Sequence, residues 1–199
     1  MPPRMLPSND IVRNQRNFRV LLQAMSHPGR LFRLRALESP GTHAAVLAVA
    51  ECLLDHEVGF ASVGRDSASP LAAVIAAATG ARNTGVSEAD FLFIAGAEGL
   101  GTAGRVRRGS IDYPDTGATL VYCLDAPPNR DPGHFRIRLS GPGICEAEGI
   151  APAMREIPAA ELRELQTANA DYPLGVDALF VRPNGEVMAL PRSTRIRLR

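Results

Sequence analysis

The sequence predicts a single α/β domain over residues 1–199, built as a three-layer sandwich with a mixed central sheet. In the first half, stretches with helical spacing of apolar residues alternate with short apolar runs typical of strands, which is the order of a layered α/β fold. Near the C-terminus, two strand-like runs flank Pro183-Asn184-Gly185, where Asn-Gly favours a tight antiparallel hairpin. We therefore expect helices on both sides of a sheet that is not purely parallel.

The first half predicts three helices and three strands. A helix over residues 10–25 has N-cap oxygens at its start and apolar residues from Ile11 to Met25 at helical spacing, and it ends at Pro28-Gly29. Residues 42–55 predict a helix that is apolar on most sides and therefore buried, and residues 69–79 predict another that is closed by Gly80. Strands are expected at residues 31–37, 58–63 and 90–95.

The second half opens with an irregular, glycine-rich stretch over residues 96–117. Strands are expected at residues 118–124 and 134–139, followed by a helix at 158–170 with an acidic start. The predicted hairpin strands are residues 176–182 and 186–190. The tail after Pro191 alternates arginine with smaller residues, a pattern that also suits an edge strand protected from aggregation by charge.

The chain contains no lysine, because all 22 of its basic side chains are arginine. A pyridoxal enzyme needs a lysine amine for its Schiff base, and P-loop NTPases and most kinases need a lysine at the phosphates. The sequence therefore excludes these mechanisms, whatever the origin of the arginine bias.

Charge and cysteine usage restrict the partners and the compartment. The formal net charge is +1 and the pI about 7.8, so the chain has no overall field for nucleic acid or an anionic membrane. No apolar run is long enough for a membrane span or a signal peptide. The three cysteines, Cys52, Cys123 and Cys145, have no metal spacing and are interpreted as buried free thiols of a cytoplasmic protein.

Three polar segments are candidates for binding a ligand or a partner. Arg105, Arg107 and Arg108 lie in the glycine-rich stretch, and guanidinium groups suit phosphates and carboxylates. The loop from Gly141 to Gly143 suits either a backbone anion nest or a simple turn. The third segment follows a buried strand and offers two guanidiniums and two hydroxyls: Arg192, Ser193, Thr194 and Arg195.

Other chemical signals are weak. The sequence GLGTAG at residues 99–104 resembles a dinucleotide fingerprint only loosely, because no helix pattern follows it. The four histidines form no metal-binding motif, and no serine or cysteine has a neighbouring base. We expect no metal, no cofactor and no catalytic residues.

Three stretches together resemble the PhnH family, the H subunits of the bacterial carbon–phosphorus lyase core complex. The first is Phe18-Arg19-x-Leu21-Leu22-x-Ala24-Met25-Ser26-x-Pro28-Gly29. The second is GSIDYPDTGATL at residues 109–120, continuing to Leu139-Ser140-Gly141-Pro142-Gly143-Ile144. The third is Tyr172-Pro173-Leu174-Gly175-Val176-Asp177, followed by Ala189-Leu190-Pro191-Arg192-Ser193-Thr194.

The resemblance implies a fold similar to pyridoxal-dependent transferases without the cofactor site, which agrees with the missing lysine. It also implies an accessory, non-catalytic subunit that associates with the G, I and J subunits, transiently with an ATPase-like L subunit, and with itself as a homodimer. With G, I and L, the family supports transfer of an alkylphosphonate to the ribose of ATP, with loss of adenine, to give a ribose 1-alkylphosphonate 5-triphosphate. The family has no accepted catalytic residues, so none is transferred to this chain.

Two alternatives remain open at this point. One is a stand-alone transferase acting on a phosphonate or nucleotide, in which Arg105, Arg192 and Arg195 bind phosphate and Asp112 or His27 is the base. The other is a sensor of a small phosphorylated ligand, which requires tight binding of the free ligand.

Overall fold

The computed structural model describes residues 8–35, 43–64, 68–96, 99–124, 137–145, 154 and 157–198. All four predicted helices are present within it, and their bounds differ from the predicted ones by one to two residues at most ends. They are α1 (Ser8–Ser26), α2 (Ala44–Leu53), α3 (Ala68–Thr79) and α4 (Ala159–Ala168). As expected from its composition, α2 is buried along most of its length.

A mixed seven-stranded sheet forms the centre of the molecule, in the order β1-β8-β7-β5-β4-β2-β3. Neighbouring strands from β3 to β7 are parallel, whereas β8 runs antiparallel to both β7 and β1. The remaining two strands, β6 and β9, form a separate antiparallel ribbon. The strands are β1 (Phe32–Arg33), β2 (Gly59–Val63), β3 (Arg82–Asn83), β4 (Phe91–Ala95), β5 (Thr119–Cys123), β6 (Ile137–Ser140), β7 (Asp177–Val181), β8 (Glu186–Leu190) and β9 (Arg195–Leu198).

The sheet is covered on both faces, as a three-layer arrangement requires. Alternate residues of a strand point to opposite faces, so the central strands contribute to two cores. One core joins the sheet to α1, α2 and α3, and Phe60 and Phe93 lie within it. The other joins the sheet to α4 and the β6–β9 ribbon, and Tyr122 and Phe180 lie within it.

The predicted hairpin is confirmed. Strands β7 and β8 pair antiparallel on either side of residues 182–185, and Gly185 has φ +84°, a conformation that glycine adopts without strain. The predicted C-terminal glycine of α3 is confirmed too, since Gly80 has φ +75° and its N–H bonds the carbonyl of Ala76.

At the sheet edges, one predicted strand was too long and one strand was not predicted. The run at 31–37 pairs only at Phe32–Arg33, because the chain beyond is held by side-chain hydrogen bonds, and residues 36–37 lie outside the described part. The short parallel strand β3 was missed, since its two exposed residues carry no apolar pattern. The run at 134–139 forms a ladder at Ile137–Ser140, with residues 134–136 also outside the described part.

The cysteine prediction holds in part. Cys52 and Cys145 are free thiols; Cys52 and Cys123 are half-buried, but Cys145 is exposed because it follows the surface turn at 141–143. Burial, with a smaller contribution from Glu51, raises the pKa of Cys52 to about 11. Within the described part of the chain, no helix has both the length and the apolar character needed to cross a membrane.

We expect Asn17→Ala to lower the free energy of unfolding by about 1–2 kcal/mol. The fully buried Asn17 amide on α1 donates to the Arg35 carbonyl at 2.8 Å and accepts from the Arg35 N–H at 2.7 Å, so alanine removes both bonds at the end of β1. Urea unfolding measures the change. Gln15→Ala, at an exposed position of the same helix, is the control and should leave stability unchanged or slightly higher. Equal stability of the two variants would contradict this assignment.

Candidate functional site at the motif junction

A groove of about 630 Å³ lies where the C-terminal end of α4 meets the turn after β6 and the segment between β8 and β9. It brings the candidate Gly141 together with a segment distant in sequence that holds four further candidates: Arg192, Ser193, Thr194 and Arg195. Ser140, Gln166, Asn169 and Tyr172 complete its polar lining. The groove is therefore the place where the two later family motifs meet.

The Arg192 guanidinium is bound within the protein. Its Nη2 and Nε lie 2.6 and 3.2 Å from Asp177 Oδ2, and its backbone N–H donates to Asp177 Oδ1 at 2.8 Å. Its Nη1 donates to the carbonyl of Pro114, and its Nη2 also lies 3.3 Å from the carbonyl of Gly117. Only 15% of the Arg192 side chain and 18% of the Asp177 side chain are exposed, so the pair is little screened by solvent. We call Arg192, Asp177 and these two carbonyls the arginine joint.

Glycines allow the backbone to approach the arginine joint. A Cβ at Gly117 would collide with the carbonyl of Gly175 and would lie 2.8 Å from Arg192 Nη1. Gly175 has φ +149°, and a Cβ there would collide with the side-chain oxygen of Asn169. Asn169 in turn accepts from the N–H of Val176 at 2.7 Å and donates to its carbonyl at 3.1 Å. The second and third motifs therefore meet through close contacts that only glycine permits.

The turn at residues 141–143 makes the connection to the first motif. Gly141 has φ +141°, and a Cβ there would lie 2.9 Å from the carbonyl of Ser193. Gly143 has φ +76°, and a Cβ there would collide with the carbonyl of Ser26 at the end of α1. Packing alone thus accounts for both glycines, and the anion nest stays a prediction.

The remaining residues of the segment differ in accessibility. Thr194 is 5% exposed, and its Oγ1 has neither solvent-accessible surface nor a hydrogen-bond partner in the described part of the chain. Ser193 is half-buried, and Arg195 is exposed at the rim of the groove. Arg195 is therefore the cation of this segment that an external group can reach.

The predicted cluster of Arg105, Arg107 and Arg108 does not converge on one point. Arg107 forms an ion pair with Asp90, whose other oxygen accepts from the N–H of Gly59 at 2.7 Å. Arg108 lies 3.9 Å from Asp171, and both of those side chains are largely exposed, so this pair contributes little. Arg105 is exposed at the end of the 3₁₀ turn Ala103–Arg105.

The GLGTAG loop is held by a buried carboxylate. Glu161, in the first turn of α4 and 2% exposed, accepts from the Gly101 N–H at 2.7 Å and from the Tyr122 hydroxyl at 2.6 Å. Burial and the neighbouring Glu161 charge raise the pKa of Tyr122 above its usual range. Tyr122 also stacks on Phe180, with ring centroids 4.9 Å apart. The loop ends in the 3₁₀ turn Ala103–Arg105 where a dinucleotide site would begin a helix, so the loose fingerprint lacks its structural context.

The two candidate bases lie outside this groove. His27 follows α1, with Nδ1 at 3.1 Å from the Gln23 carbonyl and 3.0 Å from Ser26 Oγ, as expected for a side chain that satisfies helix-end groups. Asp112 is exposed on the loop before the 3₁₀ turn Pro114–Thr116. Among the residues described, no three His, Cys, Asp or Glu side chains come together as metal ligands.

Sequence reasoning missed the acceptors that organise the site. Asp177 begins a strand and Glu161 lies in a first helical turn, positions where acidic residues are ordinary. Asn169 directly follows α4, which is a common position for a capping side chain. The presence of Asp177 in the third motif was the available signal, but its partner Arg192 could be identified only from the fold.

The comparison with protein families identifies the class of protein. The family model described as bacterial phosphonate metabolism protein (PhnH) matches residues 8–197, and the chain belongs to that family. The resemblance carried by the three motifs is thereby confirmed. The match covers both cores, the groove and the arginine joint.

A curated relative gives a more particular comparison. The chain is 32% identical over 192 residues to a protein of Stutzerimonas stutzeri named putative C-P lyase subunit protein HtxG. The aligned part is 94% of this chain and 87% of the relative, so the similarity extends over nearly the whole of both proteins.

We expect Arg192→Lys to lower the free energy of unfolding by about 2–4 kcal/mol, although it keeps the charge. An ammonium cannot reach the Asp177 carboxylate and the carbonyls of Pro114 and Gly117 at once, so hydrogen bonds at the arginine joint are lost. Arg195→Lys, three residues on and exposed, should change stability by less than about 0.5 kcal/mol. Chemical denaturation compares the two variants. A loss of unfolding free energy below about 1 kcal/mol for Arg192→Lys would show that the arginine joint does not stabilise the fold.

A second expectation concerns the loop that Glu161 holds. Tyr122→Phe should cost about 1–3 kcal/mol of unfolding free energy, because it removes a buried donor from a buried carboxylate while keeping the ring that stacks on Phe180. Tyr113→Phe removes a hydroxyl from a ring that is 66% exposed and should be neutral. Thermal unfolding followed by near-UV circular dichroism gives the difference, and two equally stable variants would rule out this role for the Tyr122 hydroxyl.

Proposed function

We propose that this chain is an accessory subunit of a carbon–phosphorus lyase complex that degrades organic phosphonates. The observation that carries the proposal is the family match over residues 8–197, since it covers nearly all of the chain rather than one motif. The relative named as a putative C-P lyase subunit, similar over most of its own length, supports the same assignment.

The accessory character of the proposed role follows from how the polar side chains are used. Arg192, one of the candidates from the sequence, is bound to Asp177 and to backbone carbonyls. Glu161 and Tyr122 are buried and bonded to each other. No lysine is available as a nucleophile anywhere in the sequence. In the described part of the chain, the polar groups at the motif junction thus stabilise the scaffold, and the chemistry is left to other subunits.

In the proposed complex, the chain supports transfer of an alkylphosphonate to the ribose of ATP, with loss of adenine, to give a ribose 1-alkylphosphonate 5-triphosphate. Its proposed partners are the G, I and J subunits, with L joining transiently, and in isolation a second copy of itself. The α/β scaffold, similar to pyridoxal-dependent transferases but without their cofactor site, and a cytoplasmic location belong to the same proposal. Arg105, Arg108 and Arg195 are the candidate side chains from the sequence that are exposed and can best reach an external ligand or partner.

The groove favours a second candidate, a sensor of a small phosphorylated ligand. Its volume of about 630 Å³ lies within the range of small-molecule sites, and Arg195 offers a cation at its rim. A sensor has to bind its free ligand tightly, which an accessory subunit need not do. Calorimetry with ATP, methylphosphonate and inorganic phosphate separates the two, and a Kd in the micromolar range or below for any of them would favour the sensor.

The proposed function is tested by reconstitution with ATP and methylphosphonate. We expect adenine release from the G, I and L subunits to require this chain, and no release from the chain alone. Chromatography of the released base measures both. Steady release by the isolated chain would indicate a stand-alone transferase, and full release without the chain would remove its supporting role.

Growth provides an independent test. A strain that lacks the gene should fail to grow on methylphosphonate as the sole phosphorus source and should grow normally on phosphate. The wild-type gene and the Arg195→Lys variant, which keeps the charge, should both restore growth. Normal growth of the deletion strain on methylphosphonate would contradict the proposed function.

A further inference from the structure

The β6–β9 ribbon has two chemically different faces. Its inner face carries Ile137 and Ile196, 3% and 7% exposed, which join the core beneath α4. Leu139 and Leu198 pack against the same core. Its outer face consists of four exposed residues, Arg138, Ser140, Arg195 and Arg197, which we call the ribbon face.

The pairing register places like charges opposite each other. Arg138 pairs with Arg197, and Ser140 pairs with Arg195. Residues directly opposite in an antiparallel ladder have Cβ atoms about 5 Å apart, and like charges at such positions are destabilising. The ribbon face therefore holds one directly opposed arginine pair, which is unfavourable in the isolated chain, and a third guanidinium opposite Ser140.

No described carboxylate compensates the ribbon face. The structure gives ion pairs to other arginines, among them Arg13, Arg107 and Arg192, but gives none within the described residues to the three on the ribbon. Gln166 of α4 donates to the backbone carbonyl of Ile196. The three guanidiniums thus lie exposed on the outer side of the ribbon, with no carboxylate of the described residues paired to them.

We propose that the ribbon face is a docking surface for an acidic surface of a partner protein. This inference rests on the proposed function, and it specifies where and by what chemistry the chain assembles. Planar guanidinium groups bind carboxylates in a bidentate manner, and arginine is enriched in protein interfaces. A partner's carboxylate between Arg138 and Arg197 relieves the repulsion between the two guanidiniums. Binding of an acidic surface therefore also removes an unfavourable interaction of the free chain.

The dimensions favour a protein over a nucleic acid. Four-residue strands span about 13 Å, and the face offers three cations, whereas duplex binding commonly uses about 6–10 phosphate contacts. The chain as a whole has a net charge of only +1, so its overall field does not favour nucleic acid. A compact acidic patch matches this face in both size and charge.

The simplest competing explanation is protection of a short ribbon from unwanted strand pairing, for which exposed charges are a common device. The two explanations differ in their consequences. A protective role requires the positive charges to keep the chain monodisperse, whereas docking requires them to bind the partner.

The test compares two double charge reversals in the chain co-expressed with the G, I and J subunits. Arg138→Glu with Arg197→Glu reverses the ribbon face, and Arg16→Glu with Arg19→Glu makes the same charge change on exposed positions of α1, in the opposite layer. We expect the ribbon variant to bind the other subunits at least about 100-fold more weakly than wild type, and the affinity of the α1 variant to stay within about threefold of wild type. Wild-type affinity should fall with added salt, and the ribbon variant should lose most of that dependence.

Three results would overturn the docking inference without affecting the proposed function. They are assembly of the ribbon variant with wild-type affinity, equal weakening of both variants, and aggregation of the ribbon variant while it still assembles with the other subunits. Failure of the wild-type chain to assemble would instead overturn the proposed function and the inference together. A 20-nucleotide DNA duplex is the competing probe. If the wild-type chain binds the duplex, and the ribbon variant loses this binding while its assembly with the other subunits is unchanged, the ribbon face is a nucleic-acid site.

A stability measurement separates docking from a structural role. Arg197→Gln removes one of two opposed charges, so the melting temperature of the isolated chain should stay the same or rise while assembly weakens. A drop of several degrees would show that Arg197 stabilises the fold itself and would contradict the proposal.

Discussion

The ion pair between Arg192 and Asp177 holds three segments of the chain together at the motif junction. It joins the start of β7 to the segment after β8, and through the carbonyls of Pro114 and Gly117 it also holds the loop that precedes β5. Glycines let backbone approach backbone at this place, and the turn at 141–143 extends the contact to the end of α1. A planar group with five donors is suited to such a position, because one side chain satisfies a carboxylate and two carbonyls at once.

This use of polar residues shapes the functional account. Two of the three stretches that carry the family resemblance contain binding candidates, at residues 141–143 and 192–194, yet in the folded chain Arg192 bonds Asp177 and two backbone carbonyls, and packing accounts for Gly141 and Gly143. The chain belongs to the PhnH family, and its proposed accessory role there agrees with this structural use of polar residues. Arg195 has a place in both the groove and the ribbon face, so ligand binding and docking, if both occur, compete for the same guanidinium.

Local patterns were sufficient for most of the fold. The helices, the central strands and the Asn-Gly hairpin each have a signal within one segment, and the structure confirms them. The extent of the edge strand β1 was misjudged and the edge strand β3 was missed, because a two-residue strand depends on pairing with its neighbour rather than on its own side chains. At the candidate site the sequence named the donors, Arg192 and Arg107, but not their acceptors Asp177 and Asp90. An ion pair between distant residues has no local signature, and only the fold reveals which guanidiniums are already bound.

A double-mutant cycle on Arg192 and Asp177 tests whether the family motifs build a structural joint in this chain. The single variants Arg192→Gln and Asp177→Asn and the double variant are compared by urea unfolding of the isolated chain. We expect a coupling free energy of about 2 kcal/mol or more, with the double variant little less stable than either single one. Additive effects with coupling below about 0.5 kcal/mol, together with loss of adenine release in the reconstituted complex, would contradict it and assign the pair to function instead.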